Sequence, residues 1–71
     1  MRVEIFKTNV REPQHAQMLL AQIHLAFKDY RANFDLQDCD HILRVENPAA
    51  IEPELLIRLL KDCGFTAELL N

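Results

Sequence analysis

A chain of 71 residues, 49% of them apolar, is a single domain (residues 1–71) near the lower size at which one core holds a fold without staples. No stretch approaches the roughly 18 apolar residues of a membrane span, and the opening MRVEIFKTNV lacks the apolar run of a secretory signal, so a cytoplasmic protein with no membrane partner is expected. With 11 acidic and 8 basic side chains the net charge is −3, which disfavours a nucleic-acid partner because such binding rests on Lys and Arg neutralising phosphates.

The first element is a period-2 segment carrying Val3 and Ile5, which predicts a strand. A short polar connection leads to Glu12-Pro13. Proline fits the first helical turn, where its missing N–H would have had no partner, and a glutamate just before it sits near the positive helix end. The spacing then predicts a helix over residues 13–27, with Ala16, Leu19, Leu20, Ile23 and Phe27 inward. Ala32, Phe34 and Leu36 alternate as a second strand, and residues 37–41 make a hairpin loop. Leu43 and Val45 mark a third strand. Glu52-Pro53 opens a second helix with Leu56, Leu59, Leu60 and Cys63 inward, stopped by Gly64, the single glycine, in the left-handed C-terminal position. Ala67 and Leu69 alternate as the last strand.

Shifting the sequence against itself by 40 positions pairs Val3 with Leu43, Ile5 with Val45, Glu12-Pro13 with Glu52-Pro53 and Leu19-Leu20 with Leu59-Leu60, without a gap. After the helices the copies fall 35 apart, Ala32 against Ala67, so the first helix or its exit is longer by about one turn. Two strand-helix-strand copies in series give the order βαββαβ, an α+β, ferredoxin-like fold. Right-handed crossovers place both helices on one face of a four-stranded antiparallel sheet in the order 4-1-3-2. With Val3, Ile5, Leu43 and Val45 inward, alternation sends Arg2, Glu4, Phe6, Ile42, Arg44 and Glu46 to the open face. The expected register sets Ile5 against Leu43 and Val3 against Val45 inside, with Glu4 opposite Arg44 and Arg2 opposite Glu46 outside. Phe6 alone, near the rim of this face, is a poor platform for stacking RNA bases.

This topology gathers three connections at one end: residues 8–12, 38–41 and 63–65. His15, Cys39, His41 and Cys63, with Asp38, Asp40 and Glu12, are the metal-capable side chains near it. A mixture of sulfur, nitrogen and oxygen ligands suits zinc, yet the chain has no Cys-x-x-Cys and no His-x-x-x-His, and the two cysteines stand on different segments. No metal, cofactor or catalytic residue is therefore assigned. Cys63 is expected inside and Cys39 accessible between two aspartates, and the two thiols are expected to be unpaired. With Cys63 inside, Cys39 between two carboxylates that leave its thiol unactivated, and no glycine-rich phosphate loop, a non-enzymatic protein is expected.

The length, the opening VEIFKTNVREPQHAQMLLAQI and the Cys63-Gly64-Phe65 ending of the second helix resemble the heavy-metal-associated domain family, the ferredoxin-like modules of copper chaperones and metal-transporting ATPases. The resemblance implies the same fold. It also implies a Met-x-Cys-x-x-Cys metal site at the start of the first helix, whose two cysteine positions fall on Glu12 and His15 here. Copper(I) prefers thiolates and thioethers, and a carboxylate with an imidazole is a harder and weaker pair. The resemblance thus implies the scaffold without its usual metal chemistry. The expected function is an interaction or adaptor module that docks another protein through Asn9, Arg11, Glu12, His15 and Phe65. A metal-binding or trafficking protein with a nonstandard site at the same end is the alternative.

Overall fold

The structure, a computed structural model, describes residues 1–70. Strand β1 (Arg2–Thr8) leads into helix α1 (Pro13–Ala26), then β2 (Arg31–Asp35), β3 (Ile42–Asn47), α2 (Pro53–Asp62) and β4 (Ala67–Leu70). The sheet order is β2-β3-β1-β4, with every neighbouring pair antiparallel. This is the βαββαβ arrangement expected from the repeat. Helix α1 packs beside β2 and α2 beside β4, and the helices touch each other.

Both helices start where the Glu-Pro pairs put them. Glu12 and Glu52 are the N-caps and Pro13 and Pro53 take the first turn, although neither glutamate side chain makes a capping hydrogen bond. The apolar stripe of α1 buries Ala16, Leu19 and Ile23, with Leu20 and Phe27 packed against them; α2 buries Leu56 and Leu60, flanked by Ile57, Leu59 and Cys63. These side chains meet Phe6, Leu43 and Val45 of the central strands in one core. Full burial of each Leu, Ile or Phe contributes about 1.5–3 kcal/mol relative to exposure.

The register of the central strands differs from the expected one by a single residue. Phe6 stands opposite Leu43, Glu4 opposite Val45, Ile5 opposite Arg44 and Val3 opposite Glu46. Glu4 and Arg44 therefore lie on different faces, and so do Arg2 and Glu46, so the expected cross-strand ion pairs do not form. Phe6 is fully buried, whereas Val3 is 42% exposed and Ile5 half-buried on the open face. The reason is the parity of the whole segment. Turning Val3 and Ile5 inward also turns Lys7 inward, and burying an unpaired ammonium beneath two helices is costly. The other parity buries Phe6, Thr8 and Val10 and leaves Glu4 half-buried at the margin. One residue of slip exchanges the two faces completely.

With this register the open face carries Val3, Ile5 and Lys7 from β1, Ile42, Arg44 and Glu46 from β3, Arg31, Asn33 and Asp35 from β2, and Glu68 and Leu70 from β4. The β3 part is as expected; the β1 part is inverted. Phe6 belongs to the core, so none of these open-face positions holds an aromatic ring.

Candidate functional site

The three connections do converge at one end of the sheet, and the bonds that hold them are made by β1 and the residues just beyond it. The Thr8 N–H donates to the Asp40 carbonyl at 3.0 Å, and the Thr8 hydroxyl donates to the His41 carbonyl while accepting the Val10 N–H at 3.2 Å. Those contacts fasten the hairpin connection, residues 36–41, to the start of the β1–α1 loop. Asn9 fastens the same loop to the entry of β4: its side-chain oxygen accepts the Thr66 N–H at 2.9 Å, and its own N–H donates to the Thr66 carbonyl at 3.4 Å.

Of the five residues expected to form a docking surface, the structure shows side-chain contacts at this end for three, Asn9 with Thr66 and His15 with Phe65. Asn9 is exposed but its side-chain oxygen is committed to the Thr66 N–H. His15, exposed in the first turn of α1, lays its ring against Phe65 with centroids 5.3 Å apart and planes tilted by 54°. Phe65 is half-buried because it closes the end of α2. Its N–H donates to the Leu60 carbonyl at 2.8 Å and that of Gly64 to Lys61 at 3.0 Å, with Gly64 at φ 92°, the paired closure in which a glycine takes the left-handed position. Arg11 and Glu12 are exposed on the same loop. The Glu12 main-chain carbonyl accepts the N–H groups of His15 and Ala16, while its side chain, exposed and making no capping hydrogen bond, stands near the positive end of α1.

The metal-capable residues separate into two sets. Asp38, Cys39 and Asp40 offer ligand atoms that lie within 4.8 Å of one another, the group of that kind found among the described residues. His15, Glu12 and Cys63 stand apart from it. The hairpin group has a structural account: the Asp38 carboxylate accepts the Asp40 N–H at 2.8 Å, the Asp38 carbonyl accepts the His41 N–H, and Asp40 pairs loosely with Lys7 at 3.9 Å. His41 completes the turn at φ 47° and its Nδ1 is buried without a partner. Both cysteines are free, Cys39 exposed in the turn and Cys63 half-buried at the C-cap of α2. Alkylation of the native protein is accordingly expected to modify Cys39 before Cys63.

Sequence patterning missed Tyr30, Val10 and Ile51, three apolar side chains in connections that are nonetheless buried. Tyr30 stacks on Phe27 at 4.5 Å and accepts the Glu52 N–H on its hydroxyl at 3.0 Å, tying the exit of α1 to the start of α2. An isolated large apolar residue inside a polar connection was the available signal. At that opposite end a hollow of about 510 Å³ opens between Lys28, Tyr30, Arg31 and Asn47. No protein-family model matches the chain, and no curated protein and no solved structure does either.

Proposed function

We propose that the chain is a non-enzymatic docking module on a scaffold similar to heavy-metal-associated domains, and that the loop end formed by Asn9, Arg11, Glu12, His15 and Phe65 binds another protein. What carries this reading is how the side chains there are employed. Asn9 and Thr8 tie three connections together, and the exposed remainder is a cation and an anion on the β1–α1 loop and an imidazole against one half-buried ring. A rigid polar rim around an aromatic is the composition of a protein-binding patch. The donor set does not fit copper(I): the positions matching the family's thiolates hold a carboxylate facing solvent and an imidazole lodged on Phe65. Tight copper(I) binding is therefore not expected, and competition against a copper(I) chelator measures it.

The test is site-directed photo-crosslinking in the native host, with the crosslinker at position 11 or, as a control, at Lys28 on the opposite end. Capture of a defined partner from position 11, lost in Phe65→Ala, is expected. Equal capture from position 28, or none from position 11, overturns the reading. The alternative, a metal ion at the hairpin, is favoured by the approach of Asp38, Cys39 and Asp40. It predicts stoichiometric zinc in protein purified without chelator, abolished by Cys39→Ser.

A further inference from the structure

The two edges of the sheet are built differently. β2 bears Arg31, Asn33 and Asp35 on its open-face side, charged and polar groups of the kind that keep an edge from pairing with another chain. β4, Ala67–Leu70, pairs among the described residues with β1 alone, contains no lysine or proline, and carries one charge, Glu68. The bond from the Asn9 N–H to the Thr66 carbonyl sets the alternation along this pair. Glu68, opposite Lys7, and Leu70, opposite Ile5, then turn their main-chain groups toward β1, and Ala67 and Leu69 turn theirs toward the free edge. Ala67 and Leu69 also point their side chains to the helix side, opposite buried Thr8 and Phe6.

Beside this edge, on the flank of α2 that faces away from α1, a hollow of about 290 Å³ lies between Ile57, Lys61, Phe65, Thr66 and Ala67. Its walls are mostly apolar, and Lys61, exposed at its rim, makes no ion pair among the described residues. A strand laid along β4 opposite Ala67 sends alternate side chains to the helix side, which is where the hollow is.

We infer that the free edge of β4 accepts an extended peptide segment of a partner protein as a fifth strand. One apolar side chain of that segment enters the hollow beside Phe65 and a neighbouring carboxylate meets Lys61. Main-chain bonds to Ala67 and Leu69 supply affinity, and the hollow with its single cation supplies selectivity. The inference rests on the reading of the chain as a docking module and assigns the chemistry of what docks. It also explains why Phe65 belongs to the docking surface: its ring borders both His15 and the hollow.

The experiment selects short peptides from a displayed random library on the full chain, then titrates the best synthetic peptide into isotope-labelled protein. Enriched sequences are expected to place an acidic residue next to an apolar one. Binding should shift the amide resonances of Ala67 and Leu69, and N-methylating the pairing peptide amide should weaken it roughly tenfold, the loss of one hydrogen bond. Lys61→Glu, an exposed change that leaves the core alone, should reverse the preference for acidic peptides. Peptides that move Arg11, Glu12 and His15 while leaving β4 unchanged overturn the edge site and leave the loop-end reading standing. Failure to enrich any peptide, or indifference to N-methylation, overturns the edge site as well, while capture from position 11 judges the loop end separately.

Discussion

The two strand–loop–helix units share a helix start and differ in how the strand reaches it. Thr8 and Asn47 are equivalent: each ends its strand on the inner face, each is only 6% exposed, and each holds the following connection through its side chain. The Thr8 hydroxyl accepts the Val10 N–H, and the Asn47 amide donates to the Ala50 carbonyl at 2.8 Å. Each connection also drops one apolar side chain into the core, Val10 in the first and Ile51 in the second. Between Thr8 and Glu12 lie residues 9–11, but between Asn47 and Glu52 lie residues 48–51, one more. The helices therefore superpose at a shift of 40 while the strands superpose at 39, and because a strand alternates every residue, that single insertion inverts the apparent face of β1 relative to β3.

The exits of the two units diverge as well. α2 is closed by the glycine turn that sets Phe65 on Leu60, whereas α1 runs four residues longer and ends at Phe27 in an extended conformation, φ −126°, steadied by the stack on Tyr30. The longer helix carries β2 to one edge with its own aromatic anchor. The shorter one places Phe65 beside His15.

The sharpest way to break this comparison is in β1. Phe6→Ala should cost about 3–5 kcal/mol in urea unfolding. Ile5→Ala, on the half-buried open face, should cost about 1 kcal/mol. Stability for a chain of this length is of order 4–10 kcal/mol, so the Phe6 variant should stand at the margin of folding. Equal costs, or a larger one for Ile5, would mean that the expected register and not the observed one is correct.

The equivalence of the strand ends comes next. Thr8→Val leaves two partnered main-chain groups unsatisfied, the His41 carbonyl and the Val10 N–H, and Asn47→Leu leaves one, the Ala50 carbonyl. Each should cost about 1–3 kcal/mol by denaturant titration. A neutral Asn47→Leu beside a damaging Thr8→Val would show that only the first connection needs its anchor. Gly64→Ala, at a site with no neighbouring atom within 4 Å, tests the backbone conformation by itself and should cost about 1–2 kcal/mol, read as a fall in thermal midpoint. Smallest is Arg44→Ala: its 3.2 Å pair with Glu46 is half-exposed, so a change within about 1 kcal/mol that shrinks in high salt is expected.

Much of the fold was legible because its signals are local or periodic. Glu12-Pro13, Glu52-Pro53 and Gly64 punctuate the chain by backbone chemistry, and the inward stripes at Leu19 and Ile23 and at Leu56 and Leu60 follow the helical period. The convergence of residues 8–12, 38–41 and 63–65 followed from topology, since only one hand of crossover is open to such units. Less of the site was legible. Nothing in the spacing of Asn9 and Thr66, or of His15 and Phe65, announces that they meet, because both contacts join segments far apart in sequence.

The sequence by itself determined the elements, their order and the apolar faces of both helices, since a helix repeats its face every few residues and tolerates small errors of phase. It could not choose the face of β1. Val3 with Ile5 and Phe6 with Thr8 and Val10 are two opposed sets on one strand, and a local apolar pattern favours the first as readily as the second. The tertiary structure decided between them, because only beneath two packed helices does it matter that one set would bury Lys7 and the other buries Phe6 with the N–H and hydroxyl of Thr8 both hydrogen-bonded.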